Sequence, residues 1–357
     1  MNPSNGLLVI DPARDPLGVL ASTAPVVAAA RHVRIRGEAV ERVAGELSEL
    51  DPPGWDEGLH WRDGTWRTAV WVLVLDALNF CFWSTSDDPA QRWRVEWQGH
   101  AHNGYDALAA ALHRAVAEGR PLWDAAYLAD VSDDEVSDIL QSVKGAPSIP
   151  LFPTRVAHLR EVGRGLLALG EDAARAGVTP VEYLIGEAGG SAARLVELVV
   201  RHFPSFDDTV LWPERSPLSE TDTVPAQKIR FYKRAQILVA DLHGAFAGSG
   251  LGAFHDLDGL TAFADYKVPQ VLRRLGVLAY TPALATRIAR RDLITAGSRP
   301  EVEIRAATVW ACELLRRAMS THGRAIATYE LDWLLWTAGQ ALPPSSEPYH
   351  RTPTIFY

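Results

Sequence analysis

The chain has 357 residues, 47% hydrophobic and 22% charged, enough for one large domain or two modest ones around a substantial core. That balance excludes a disordered or fibrous protein. Thirty-five basic against 44 acidic side chains leave a net charge of −9, a poor basis for gripping nucleic acid through its phosphates.

Cys81 and Cys312 sit in apolar runs and match no metal spacing, so the sequence predicts a reducing, cytoplasmic setting. The N-terminus lacks the basic and apolar regions of a signal peptide. The longest apolar run, 71–83, is too short to span a bilayer and is broken by Asp76 and Asn79. A soluble protein is expected.

In chain order, residues 59–99 come first. Trp61, Trp66, Trp71, Trp93, Val95 and Trp97 approach a period of two, with a turn signal at Asp63-Gly64, and predict a small sheet or hairpin. The rest predicts helix. Ser132-Asp-Asp-Glu135, Thr179-Pro-Val-Glu182 and Ser298-Arg-Pro-Glu301 read as capping boxes, in which a hydroxyl and a carboxylate satisfy the orphan amides of a first turn. Val224-Pro225 and Thr281-Pro282 place proline where a first turn tolerates it. Apolar stripes of helical period run through 136–140, 193–200, 229–246, 302–315 and 331–338. The expectation is a mainly α, compact, two-lobed single domain over 1–357, with seams near 145–153 and 213–225.

No Walker loop, zinc-protease helix, nucleophile elbow or Cys-x-x-Cys is present. Gly248-Ser-Gly-Leu-Gly252 follows a helical stretch and reads as an interhelical turn. His100-Ala-His102 offers two metal ligands without a third, so no metal is expected. Five constellations remain. If Pro225 opens a helix, Ile229, Lys233, Gln236 and Ala240 share one apolar face, and Lys233 points inward or snorkels to a rim. In Phe263-Ala-Asp-Tyr-Lys-Val-Pro-Gln270, Pro269 disfavours helix at Val268, so a helix should start at Pro269 and end at Gly276, preceded by a short helix over 260–264. Asp265 then lies just before a helix N-terminus, where negative charge is favoured. Glu303 and Trp310 stand seven apart on the helix opened by Ser298, and Asn79-Phe-Cys-Phe-Trp83 sets an amide among three rings. The tail ending Ile355-Phe-Tyr357 is apolar enough to dock, which would bring Arg351 against the body as a phosphate clamp.

These segments together resemble the queuosine salvage protein family, the queuosine 5′-phosphate N-glycosylases/hydrolases. The resemblance rests on Ala77-Leu-Asn-Phe-Cys-Phe-Trp83, Asn103-Gly-Tyr105, Phe231-Tyr-Lys-Arg-Ala-Gln236, Phe263-Ala-Asp-Tyr-Lys-Val-Pro-Gln270, Glu303-Ile-Arg305 with Trp310, and the Arg-Thr-x-Thr-Ile-x-Tyr ending. Lys267 stands where arginine is common, and Asp106 where an aromatic is expected. The resemblance implies a helical body similar to the helical DNA glycosylases. It implies hydrolysis of queuosine 5′-monophosphate to queuine and ribose 5-phosphate, without metal or organic cofactor; the net charge and the lack of a long apolar run add the expectation of no direct nucleic-acid or membrane binding. Carried over, Asp265 and Lys233 become the catalytic candidates, Phe82 and Trp310 would sandwich the base, Asn79 would meet its polar edge, and Glu303 would pair with the amine of the queuine side chain. His102, Tyr266 and Arg351 are further substrate contacts. The alternative is a non-catalytic helical carrier of queuine-related metabolites, which would need neither the acid nor the lysine.

Overall fold

The computed structural model describes residues 8–55, 58–84, 91–212, 226–343 and 345–357. Helices α1 (Val19–Ala28) and α2 (Gly37–Leu47) flank strand β1 (Val33–Ile35), and α3 (Trp66–Ala77) follows. Strands β2 (Arg94–Trp97) and β3 (His100–Asn103) lead into α4 (Gly104–Ala117), α5 (Ala125–Asp130) and α6 (Asp133–Ile139). Then come α7 (Phe152–Ala168), α8 (Gly170–Ala176), α9 (Pro180–Gly186) and α10 (Ala192–His202). Strands β4 (Thr209–Trp212) and β5 (Gln227–Arg230) precede α11 (Lys233–Ala245). The chain closes with α12 (Lys267–Arg274), β6 (Leu278–Tyr280), α13 (Pro282–Ala289), α14 (Arg299–Thr321) and α15 (Thr328–Gln340). The fold is mainly α, with antiparallel pairs β1–β6, β2–β3 and β4–β5 as its sheets among the described residues.

The long α14 is buried from Glu301 to Leu315 and packs on α1 and α2, while α11 packs on α3 and α10, and α12 on α15. One hydrophobic cluster runs through all of these elements, with Trp71, Trp93 and Trp310 fully enclosed.

The hairpin expected within 59–99 lies at its far end. Val95 pairs with His102, and Gln98 and Gly99 at the turn both take positive φ, the geometry that matches strand twist. Trp66 and Trp71 are helical instead. Thr65 caps α3 by accepting from the Arg67 amide, and the Thr68 hydroxyl donates to Asp63, so Asp63-Gly64 serves a helix start and not a hairpin turn.

The Thr179 capping box forms, and Ser132 accepts from the Glu135 amide. Ser298 makes no such bond, because Glu301 is drawn instead to the Gly297 amide and the Tyr357 hydroxyl. Val224 and Pro225 lie outside the described residues, as does the seam at 213–225. The helix expected from Pro225 begins at Lys233, and Ile229 belongs to β5. No helix forms over 260–264, since the Thr261 and Phe263 amides donate to the Gln236 and Asp332 side chains. Helix α12 starts at Lys267, two residues before Pro269. Asp265 accepts from the first amides there, and proline at the third position gives up only an N–H that has no intrahelical partner. Gly276 takes φ +78° just past the end, as expected.

Candidate active site

Lys233 is the first residue of α11 and only 6% exposed. The residue before it, Tyr232, holds φ +49°, a left-handed conformation disfavoured for a side chain of that size, and this turn separates β5 from the helix. The Lys233 ammonium forms no ion pair or hydrogen bond among the described residues. Burial pushes its pKa down, and the carboxylates of Asp265, Asp76 and Asp332, in that order, pull it back up.

Asp265, also 6% exposed, sits at the mouth of α12. Its Oδ1 accepts from the amides of Lys267 and Val268, both at 2.8 Å, which fixes the carboxylate against the positive end of the helix. Oδ2 accepts no hydrogen bond among the described residues. Burial raises the pKa of the acid, while the Lys233 charge, the two amides and Lys267 counter the rise. One oxygen is anchored and the other free, so the charge is held in place without being spent on a partner.

Three further acids surround this pair. Asp332 of α15 accepts from the Phe263 amide at 2.9 Å, and burial together with Asp265 holds it well above the usual carboxylate range. Asp76, fully buried near the end of α3, is pushed by burial to about 7 despite Asn79, Lys233 and Arg234. Its Oδ1 accepts from Asn79 Nδ2 at 3.3 Å, and Oδ2 has no partner among the described residues. Asp241 is also held high by burial and by Asp76, and accepts from the Tyr105 hydroxyl at 3.3 Å; that hydroxyl meets His60 Nε2 at 2.8 Å.

Beyond α3 the backbone leaves the helix and is gripped by buried cations. Arg234 donates to the carbonyls of Asp76 and Ala77, at 3.1 and 2.6 Å, and to that of Ser205. Arg155 donates to Leu78, Phe80 and Cys81, and His158 meets the Ala77 carbonyl at 3.0 Å. Burial lowers the His158 pKa to about 4, so it holds that carbonyl as neutral imidazole. The segment so fixed carries Asn79 and Phe82. The Phe82 ring stacks on Trp93 at 6.4 Å and lies 5.1 Å from the Arg155 guanidinium. Cys81 and Trp83 pack with Phe80 against Tyr266 and Tyr349, and with Trp93 and Leu151 they line a cleft of about 350 Å³.

Thus Asp265, Lys233, Asn79, Phe82 and Tyr266 belong to one neighbourhood. Arg351 joins its edge, its guanidinium 5.9 Å from the Trp83 ring, because the C-terminal segment docks: Tyr357 is buried and its carbonyl accepts from the Cys81 amide at 2.9 Å. Three expected contacts stand apart. Glu303 is fully buried, and its carboxylate accepts from the amides of Arg31 and His32, at 3.0 and 2.6 Å, fastening the α1–β1 loop to α14. Trp310 is enclosed in the core with no accessible face for a base. His102 is on β3, and its ring contact is with His100. Among the described residues no three His, Cys, Asp or Glu side chains are grouped to hold a metal, and no helix is long and apolar enough to cross a membrane. A second, larger groove of about 640 Å³ runs beside β1 and β6, between Arg34, Arg36 and Tyr280, and is lined by none of Asp265, Lys233, Asn79, Phe82, Tyr266 or Arg351.

Sequence reasoning missed Asp76, Asp241, Asp332, Arg155 and Arg234. Asp76 carried a signal, a lone acid in an apolar run; the others come from three helices, α7, α11 and α15, and meet only in the fold.

The family model described as queuosine salvage protein matches residues 59–357, which include every residue of this site. The chain belongs to the queuosine salvage protein family. It is 49% identical over 345 residues to a protein of Sphaerobacter thermophilus named queuosine 5′-phosphate N-glycosylase/hydrolase, covering 96% of this chain and 98% of that one. Relatives of the same name in Bos taurus and Dictyostelium discoideum are 36% and 32% identical, over 87% and 95% of this chain and 85% and 98% of theirs.

Proposed function

We propose that this protein hydrolyses the N-glycosidic bond of queuosine 5′-monophosphate, releasing queuine and ribose 5-phosphate. The observation that carries the reading is the burial together of Asp265, with one carboxylate oxygen free, and Lys233, whose charge acts on it without a direct bond, in a chain whose relatives carry that activity in their names.

Breaking the C1′–N bond sends the bonding electron pair to the base and leaves positive charge on the ribose. A fixed carboxylate beneath C1′ stabilises that charge, and burial strengthens the effect because little water screens it. Asp265 takes this role. Water then adds hydroxide to C1′, and its remaining proton restores the one given to the departing base. The base is a 7-deazaguanine and lacks N7, so protonation there is not open to it. Lys233 provides the proton donor at the leaving side, where burial lowers its pKa and Asp265, the largest carboxylate influence, opposes that pull. Asn79 and Phe82 receive the base, Tyr266 flanks the sugar, and Arg351 clamps the 5′-phosphate, with His102 as an outer contact.

Incubation of purified protein with queuosine 5′-monophosphate, followed by mass spectrometry, tests this. Stoichiometric queuine and ribose 5-phosphate are expected. Tight binding of the intact nucleotide without release would point to a carrier instead, and neither binding nor release would overturn the substrate.

A further inference from the structure

We propose that Asp208 and Arg305 are positioning residues that set the distance and aim between Lys233 and Asp265; the inference rests on the reading of that pair as the reacting groups. Neither residue belongs to the chemistry described above, and both are nearly fully buried, at 2% and 3% exposure.

Asp208 lies just ahead of β4, outside any helix. Its backbone carbonyl accepts from the amides of Phe231 and Tyr232, at 3.0 and 3.2 Å, and its Oδ2 accepts from the amide of Lys233 at 3.2 Å. Three consecutive amides are therefore held by one residue. They span the left-handed turn at Tyr232, a conformation disfavoured for a non-glycine residue that persists only where the surroundings fix it. Releasing that turn would let the first turn of α11 relax, and Lys233 is the first residue of that turn.

Arg305, from the middle of α14, closes the other half. Its two terminal nitrogens pair with both Asp208 oxygens, at 2.9 and 2.5 Å, and its Nε donates to the carbonyl of Ala264 at 3.2 Å. Ala264 directly precedes Asp265. Phe231 lies under the guanidinium at 3.9 Å and Tyr357 at 4.8 Å, so the arginine has no room to swing. One rigid fork thus runs from the backbone of Lys233 through Asp208 and Arg305 to the backbone of Asp265. Lys233 is otherwise carried by α11 and Asp265 by the segment just ahead of α12, and no direct bond between their side chains fixes their spacing. Lysine at 305 would keep the charge but lose the planar fork that serves two partners at once.

The test uses Asp208→Asn, Arg305→Lys and the double variant, with kcat and KM for queuosine 5′-monophosphate normalised to the folded fraction from circular dichroism. A displacement of about 1 Å costs about 100-fold in rate, so each single variant is expected to lose about that much in kcat, with KM within about threefold of wild type. Because both residues serve one device, the double variant should lose about as much as either single, not the product. If Asp208→Asn does not fold, Arg305→Lys alone gives the same kcat-against-KM split. A kcat per folded molecule within about threefold of wild type, with only the melting temperature lowered, would make the pair structural and overturn the inference. Multiplicative losses in the double variant would also overturn it. Wild-type enzyme is the control: no queuine release there refutes the proposed activity itself, whereas active wild type with unimpaired variants refutes only the positioning role.

Discussion

Replacing Asp265 with asparagine removes a charge while sparing the local fold. The two amide bonds to Oδ1, from Lys267 and Val268 at 2.8 Å, can be kept by the asparagine oxygen, so the mouth of α12 should stay in place. What disappears is the negative charge on the free oxygen. A unit charge about 4 Å from a developing cation is worth about 4 kcal/mol at the effective dielectric of a protein site, which corresponds to about 1,000-fold in rate. The stability change has the opposite sign. Burial raises the Asp265 pKa above its ordinary value of 3.8, so the ionised form is a burden on the fold. That burden is absent well below pH 3.8 and fully expressed once pH exceeds the folded pKa. Asp265→Asn should therefore melt no lower than wild type at pH 7, with any advantage fading in acid. Single-turnover release of queuine, followed by mass spectrometry beside thermal melts, reads both effects. A variant that turns over within about tenfold of wild type would refute the role of the charge.

Lys233→Met keeps the bulk of the side chain and removes the donor, so kcat should fall about 100-fold while the melting temperature at pH 7 holds or rises; unchanged kcat would remove Lys233 from the chemistry. The Asp76 pKa of about 7 places its ionisation in the working range, where a rising pH adds negative charge beside Lys233 and favours the ammonium. Asp76→Asn should abolish an inflection near pH 7 in the kcat profile, and persistence of that inflection would assign it elsewhere. Glu303→Gln weakens the hold on the Arg31 and His32 amides and should lower the melting temperature with kcat and KM unchanged. A KM raised more than about tenfold at unaltered melting temperature would instead make Glu303 a substrate contact.

Helical character and several caps were legible in the sequence because the signals are local: Thr179 with Glu182, Ser132 with Glu135, and Gly276 past α12 each act within a turn. Errors arose where a distant partner overrode the local preference. Residues 260–264 are not helical because Gln236 and Asp332, far along the chain, take their amides. The start of α11 was misplaced because Asp208 creates a turn at Tyr232 that no local motif encodes. Indole spacing near Trp66 and Trp71 suggested strand, yet the Thr65 cap and enclosure on all sides suit a buried helix equally well. At the site, Lys233 is legible as a charge on an apolar helix face and Asp265 as an acid ahead of a helix start, the family resemblance making both catalytic candidates, while Asp76 is legible only as a break in an apolar run. Glu303 and Trp310 looked like a binding face because seven residues bring side chains to one side of a helix; α14, however, is buried all round from Glu301 to Leu315, and spacing alone does not say which neighbour each face meets.

The most direct test is a crystal structure of the Asp265→Asn variant with intact queuosine 5′-monophosphate. The account predicts C1′ about 3.5 Å from the residue 265 side chain, the base against Phe82 and Asn79, and Lys233 on the leaving-group side. A nucleotide bound with its glycosidic bond away from residue 265, in the groove beside β1 and β6 or elsewhere, would contradict it.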